Sequence, residues 1–247
     1  MTMALNYALL SVRTTFRNTR YVVFTLALPL VLYLLFNSLY GNQVDATTGL
    51  NVGAYIMVSM ACYGAIGATM NAGSRIALER QTGWNRQLRL SALSPQGYLF
   101  AKAAVSMLVA LPAILLVFIA GVIVGKASLT TGQWVECGVI LWLSMIPFGL
   151  MGLVIGFVAT VDSAQPLTMI IYLVLSILGG LWFPVNQFPP FLQDVAKVLP
   201  SYWAAELARA PLAGQALSMT GIAVLLAWTI GLGVVAMAAY RRSGKKA

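Results

Sequence analysis

The sequence predicts an all-α membrane protein: an N-terminal amphipathic helix in the membrane interface, six transmembrane helices, and short re-entrant or interfacial helices between the fifth and the sixth. Three observations carry this prediction. The 247 residues are 60% hydrophobic and only 9% charged, with a mean hydropathy of +0.86, whereas soluble domains carry about 25% charged residues. The apolar residues gather in stretches close to the ~20 that a helix needs to cross a hydrocarbon core. The basic residues, which set a formal net charge of +9, stand at the ends of those stretches. That placement follows the positive-inside rule and suits an anionic lipid leaflet rather than nucleic acid.

Residues 1–18 put Leu5, Leu9, Val12 and Phe16 on one helical stripe, with Arg13, Arg17 and Arg20 on a second. This is the pattern of a helix lying in the interface, here assigned to residues 1–20. A signal peptide is the alternative, against which the basic residues come late and no small-residue cleavage site follows Tyr40. Residues 21–40 carry no charge and make the first crossing, with Pro29 as a site for a kink. A short polar turn with Asn42, Gln43, Asp45 and Thr47 follows.

The second crossing is read over 52–73, where Gly64 with Ala68 and Gly67 with Asn71 permit close helix approach. The third runs over 98–125 and ends in Gly121 and Gly125, before a polar loop over 126–135. The fourth covers 134–160, with Pro147 in mid-span and Gly152 and Gly156 as a second small-residue pair. Asp162, Ser163 and Pro166 then supply helix-start chemistry, and the fifth crossing extends to Phe183. Cys62 and Cys137 lie in different apolar segments and read as small buried apolar side chains.

Between 183 and 214 the pattern breaks. Pro184, Pro189, Pro190, Pro200 and Pro211 divide the chain into pieces too short to span. Phe191, Val195, Val198 and Leu199 share a helical face opposite Asp194 and Lys197, while Tyr202 and Trp203 suit a headgroup-level belt. The sixth crossing, 217–240, is closed by Arg241, Arg242, Lys245 and Lys246. Twelve basic residues then fall on one side and three (Lys126, Lys197, Arg209) on the other. Both termini are therefore expected in the cytoplasm.

Histidine is absent, which removes imidazole bases and most zinc sites. No catalytic residue and no metal site is expected. Asp45, Glu79, Glu136, Asp162, Asp194 and Glu206 all fall in loops or at helix ends, so the mid-membrane carboxylates of ion-driven carriers are missing. No P-loop is present either, because Ala127 follows Gly125 and Lys126, and Ala120 stands where the first glycine belongs. Work done by this chain must draw its energy from another one.

The island over 74–102 is the long charged interruption, with Arg75, Glu79, Arg80, Arg86, Arg89 and Lys102. An ordinary positive-inside loop would account for the charge alone. Its length, however, exceeds that of a turn, and it mixes Trp84, Leu88, Leu90 and Leu93 with the arginines. Gly83 can break a descending helix, and Ser94 with Pro95 can start the next. A surface helix of this composition suits docking of a soluble partner.

At Glu79-Arg80, Gly83-Trp84, Arg86-Gln87-Leu88-Arg89, Leu93, Pro95, Tyr98 and Lys102 the chain resembles the cytoplasmic loop of ABC-2 type ABC transporter permeases, especially their bacterial drug-export branch. Phe188-Pro189, Leu199-Pro200, Tyr202, Glu206 and Arg209 look like the outward segment of that family. The resemblance implies one transmembrane domain over 1–247: half of a type V exporter in the bacterial plasma membrane. Its partners would be a second permease copy, as a homodimer, and two ABC ATP-binding subunits. ATP and magnesium would bind those subunits, with no cofactor on this chain.

By the same resemblance residues 74–97 form the coupling region, where Glu79, Arg80 and Gly83 shape the bend and Trp84, Arg86, Leu88 and Arg89 contact the ATPase. The pathway wall, from the first, second and fifth crossings, would include Tyr33, Phe36, Asn37, Tyr63, Asn71, Tyr172 and Trp182. Residues 184–214 would face outward, with Phe188, Pro189, Leu199, Pro200, Tyr202 and Glu206 at a gate. Efflux of an amphipathic antibiotic-like or lipid-like substrate, with drug resistance as its consequence, is the function implied. Export of a polysaccharide or glycolipid is an alternative in the same class. A non-transporting scaffold or sensor is one in another.

Overall fold

Backbone amides and carbonyls in an apolar segment have to be paired within it, and this chain meets the requirement with helices. The structure, a computed structural model, describes residues 23–44, 51–81, 95–124 and 129–243. The interfacial helix expected over 1–20 lies outside those residues, as do positions 82–94 of the island. The described helices are α1 (Leu28–Tyr40), α2 (Val52–Gln81), α3 (Pro95–Val124), α4 (Thr131–Leu143), α5 (Ile146–Val158), α6 (Val161–Leu178), α7 (Pro190–Val198), α8 (Pro200–Arg209) and α9 (Met219–Ser243). Among the described residues five helical stretches are long and apolar enough to cross a membrane, with α4 and α5 together making one of them. A sixth apolar stretch, Thr25–Tyr40, is shorter.

Several boundaries differ from the sequence reading, each for a local reason. A π-helical turn, Val23–Ala27, precedes α1 and places Pro29 in that helix's first turn. The amide that proline lacks falls where the hydrogen-bond register is already changing. Helix α2 runs past the crossing read over 52–73 and is described to Gln81, in keeping with a descending helix that Gly83 can break; its last two turns stay packed and bury Ile76 and Ala77. The charged island therefore begins inside a helix. The fourth crossing is two helices joined at Ser144–Met145, just ahead of Pro147. Pro147 has no N–H for the carbonyl of Leu143, and the Ser144 hydroxyl covers the carbonyl of Ile140 at 2.8 Å.

Helix α6 is capped by Thr160, not by Asp162 or Ser163. The Thr160 side chain accepts from the Ser163 amide while the Ser163 hydroxyl accepts from the Thr160 amide, a reciprocal box in which serine takes the place of the usual Glu or Gln. The helix stops at Leu178, short of Phe183, where Gly179 and Gly180 follow and Gly180 adopts φ +72°. Positive φ costs glycine little. Thr160→Ala is expected to lower stability by about 1 kcal/mol, read as a fall in the melting temperature of the purified protein.

Helix α2 forms the axis of the bundle: 83% of its apolar window is buried. It packs most extensively on α3 and α5, then on α1 and α6. Close approach is set by small residues, with Gly67 against the Tyr172 ring and Gly152 against the backbone of Met70. The corresponding windows of α6 and α9 are only 22% and 17% buried. Their outer faces, with Met169, Ile170, Ile230 and Val234 exposed, are open to lipid or to another chain.

Prolines start both short helices after α6, where a missing N–H costs nothing. They differ in burial. Helix α7 leaves Phe191 and Val198 exposed, so its expected apolar face is not turned inward. Helix α8 is wedged among α2, α4, α6 and α9, and it buries Ser201, Ala204, Ala205, Leu207, Ala208 and Arg209.

Candidate functional site

Among the described residues two places hold the buried charged side chains, Lys102 and Arg209. The first is the C-terminal end of α2. Glu79 accepts from Lys102 of α3 at 2.6 Å; the lysine side chain is 7% exposed and the carboxylate 24%. The next residue, Arg80, donates through Nη1 to the carbonyls of Gly156 (3.2 Å), Phe157 and Ala159 at the end of α5. Those are orphan C-terminal carbonyls bearing the negative end of the helix dipole, and a guanidinium satisfies both the hydrogen bonding and the field. Beneath them Ile76, Leu99, Leu153, Phe157 and Tyr240 form an apolar cluster, with Phe157 and Tyr240 edge to face at 5.5 Å.

One turn of α2 therefore holds α3 by an ion pair and α5 by its carbonyls. Arg80 and Glu79 are two of the expected coupling residues; Gly83, Trp84, Arg86, Leu88 and Arg89 lie outside the described residues.

The expected pathway residues separate into groups. Tyr63, Tyr172 and Trp182 come together: the tyrosine rings stack at 4.7 Å, Trp182 meets Tyr63 edge-on at 5.5 Å, and the Tyr172 hydroxyl donates to the Tyr63 carbonyl at 3.1 Å. Asn71 stands at the α2–α6 seam, donating to the Gly67 carbonyl at 2.8 Å and accepting from Gln165 at 3.0 Å. Tyr33 is buried, and Asn37 lies close against Gly41 and Gly53. Two of these bonds, Tyr172 to Tyr63 and Gln165 to Asn71, cross the α2–α6 seam, whereas the indole nitrogen of Trp182 is buried without a hydrogen-bond partner among the described residues.

The second place is a cavity of about 790 Å³ between α1, the start of α2, the segment after α6, and α8. It collects Phe36 and Trp182 from the expected pathway and Tyr202 and Glu206 from the expected gate. The other gate residues are framework. Phe188 and Pro189 lead into α7, Leu199 caps α8, and Pro200 is buried in its first turn.

Arg209 lines this cavity; in the sequence it counts as an outward basic residue and belongs to the segment that resembles the family's outward one, with no role of its own assigned. It is 5% exposed. Its Nη1 donates to Glu206 Oε1 at 2.7 Å, its Nη2 donates to Ser59 Oγ at 2.7 Å, and its guanidinium carbon lies 3.7 Å from the Tyr55 ring centroid. Burial works against the charge, but Tyr55 and Glu206 outweigh it and hold the guanidinium above its ordinary pKa. The nearby Tyr202 phenol is raised too, first by burial and then by the Glu206 charge. The sequence signals for the pair are its place in the segment resembling the family's outward one and the i, i+3 spacing of Glu206 and Arg209 in a helix started by Pro200.

Comparison with known proteins covers both places. A family profile described as "ABC-2 type transporter" matches residues 9–213, from before α1 to the turn after α8. Over 213 residues the chain is 26% identical to a protein of Bacillus subtilis (strain 168) named "Putative transport permease YvfS", an alignment spanning 86% of each chain.

Proposed function

The chain belongs to the family of ABC-2 type transporters, and from that premise we propose that it is the permease subunit of an ATP-driven exporter whose ATP-binding subunits are separate chains. The supporting observation is the unbroken helix α2, which runs 30 residues from the bundle core into the charged island and ends in the Glu79 and Arg80 ties to α3 and α5. A helix so anchored transmits a push at its end as a rigid body rather than absorbing it in a loop. Residues 82–94, with Gly83, Trp84, Arg86, Leu88 and Arg89, would receive that push from the ATPase subunit.

The remaining parts of the proposal rest on the sequence reading. Residues 21–40 make the first of six crossings and residues 1–20 lie along the interface. The excess of basic residues puts both termini and the end of α2 in the cytoplasm, so α7, α8 and the 790 Å³ cavity face outward. Two copies of the permease form a homodimer, for which the exposed apolar faces of α6 and α9 are available. ATP and magnesium bind the partner subunits. Closure of those subunits favours the outward-open state, and an amphipathic antibiotic-like or lipid-like substrate leaves the cytoplasm or inner leaflet.

Gentle affinity purification of the chain from its native membranes, followed by mass spectrometry and an ATPase assay, tests the proposal. A soluble subunit carrying a P-loop in equal ratio, active in hydrolysis, is the expected companion. Recovery of the chain alone, or with a partner that binds no nucleotide, would replace the exporter by a scaffold.

A further inference from the structure

Among the described residues the wall of the cavity combines rings with one accessible charge. Phe36, Tyr40, Trp182, Phe183 and Tyr202 present aromatic surface, and Glu206, with 39% of its side chain exposed, presents a carboxylate. The opposite charge is withheld. Only 6% of the Arg209 side chain is exposed; its two terminal nitrogens donate to Glu206 and Ser59, Tyr55 lies against the guanidinium, and its Nε, without a partner among the described residues, is itself buried out of reach of the cavity's contents. An anion entering the cavity would find the guanidinium covered. A cation would find the free lone pairs of the carboxylate together with ring faces whose quadrupoles attract positive charge.

We propose that this cavity is a binding site for an amphipathic organic cation, with Glu206 as its counter-ion and the aromatic wall around its apolar body. The volume is that of a site for a drug-sized molecule. Arg209 is a positioning residue: it holds Glu206 by Oε1 and ties α8 to Ser59 on α2. As a substrate site the cavity narrows the exporter reading and rests on it. As a binding site it stands without nucleotide or partner.

The test uses two ions of nearly the same shape and opposite charge, tetraphenylphosphonium and tetraphenylborate, titrated calorimetrically against the full-length purified protein in nanodiscs. Saturable one-site binding of the phosphonium is expected, with the borate weaker by about tenfold or more, the scale of one charge-assisted contact. Glu206→Gln should weaken the phosphonium by about tenfold and leave the borate little changed. Because that variant disturbs the partner of Arg209, the paired replacement Glu206→Met with Arg209→Met provides a second reading. It removes both charges at once and should bind both ions alike while eluting as the same folded species. Equal or tighter borate binding by the wild-type protein, or an unchanged preference in the paired variant, overturns the site. A chain that co-purifies with an active ATPase and fails this titration keeps the exporter reading and loses this one.

Discussion

Replacing Gly152 by alanine is expected to cost the fold about 3 kcal/mol, the upper range for overpacking a tight contact. A Cβ at this position would lie 2.6 Å from the carbonyl oxygen of Met70 and 3.0 Å from its Cα. Both are backbone atoms of α2, so no rotamer change can relieve the contact and the two helices have to separate. That seam is one of the most extensive in the bundle, and separating it loosens the packing of Leu153 and Phe157 as well. Gly231→Ala on α9 is the control, since nothing lies within 4 Å of the added methyl. It should gain up to about 1 kcal/mol from helix propensity. Thermal unfolding of the two variants in the same detergent compares them, and equal melting temperatures would refute the close-approach account.

Removal of the Glu79 carboxylate is expected to have the largest effect on activity. Glu79→Ala deprives Lys102, 7% exposed, of a carboxylate at 2.6 Å. Breaking a fully buried pair costs about 3–5 kcal/mol; because Glu79 is itself 24% exposed, a loss of about 2 kcal/mol is the value to expect here. Replacing both partners, Glu79→Leu with Lys102→Met, should recover most of that stability, since apolar pairs of similar volume replace buried ion pairs at little cost. Transport should not recover. On the proposed coupling role the ion pair would fix the direction in which the end of α2 moves α3, where an apolar contact would slide. ATP-driven export measured in membrane vesicles, beside the melting temperature of each variant, separates the two roles. Full export by the stable double variant would reduce Glu79 and Lys102 to a structural pair.

The helical class was legible because its signals are local. Long apolar runs, prolines at helix starts and charges kept to segment ends each depend on neighbours within one or two turns. The start and register of α7 and α8 could be read from Pro190 and Pro200 for the same reason. Boundaries were less legible. The packing of the last turns of α2 rests on Ile76 meeting partners on α3, α5 and α9, which no local pattern records, and the break at Ser144–Met145 reads in the sequence only as a proline in mid-span. The cap of α6 was placed two residues late because threonine, aspartate and serine stand together there, and only backbone geometry distinguishes them.

The sequence by itself determined that the chain is helical and apolar, that it lacks a histidine and a P-loop, that its charges gather at segment ends, and which family it belongs to. Tertiary structure alone decided which residues meet. Ser59 and Arg209 are 150 positions apart, and Arg80 reaches carbonyls 76 to 79 positions away. The order, rotation and separation of packed helices are set by the sum of many weak contacts, so no local pattern records that one arginine serves a helix terminus while another is paired with a carboxylate in the wall of a cavity.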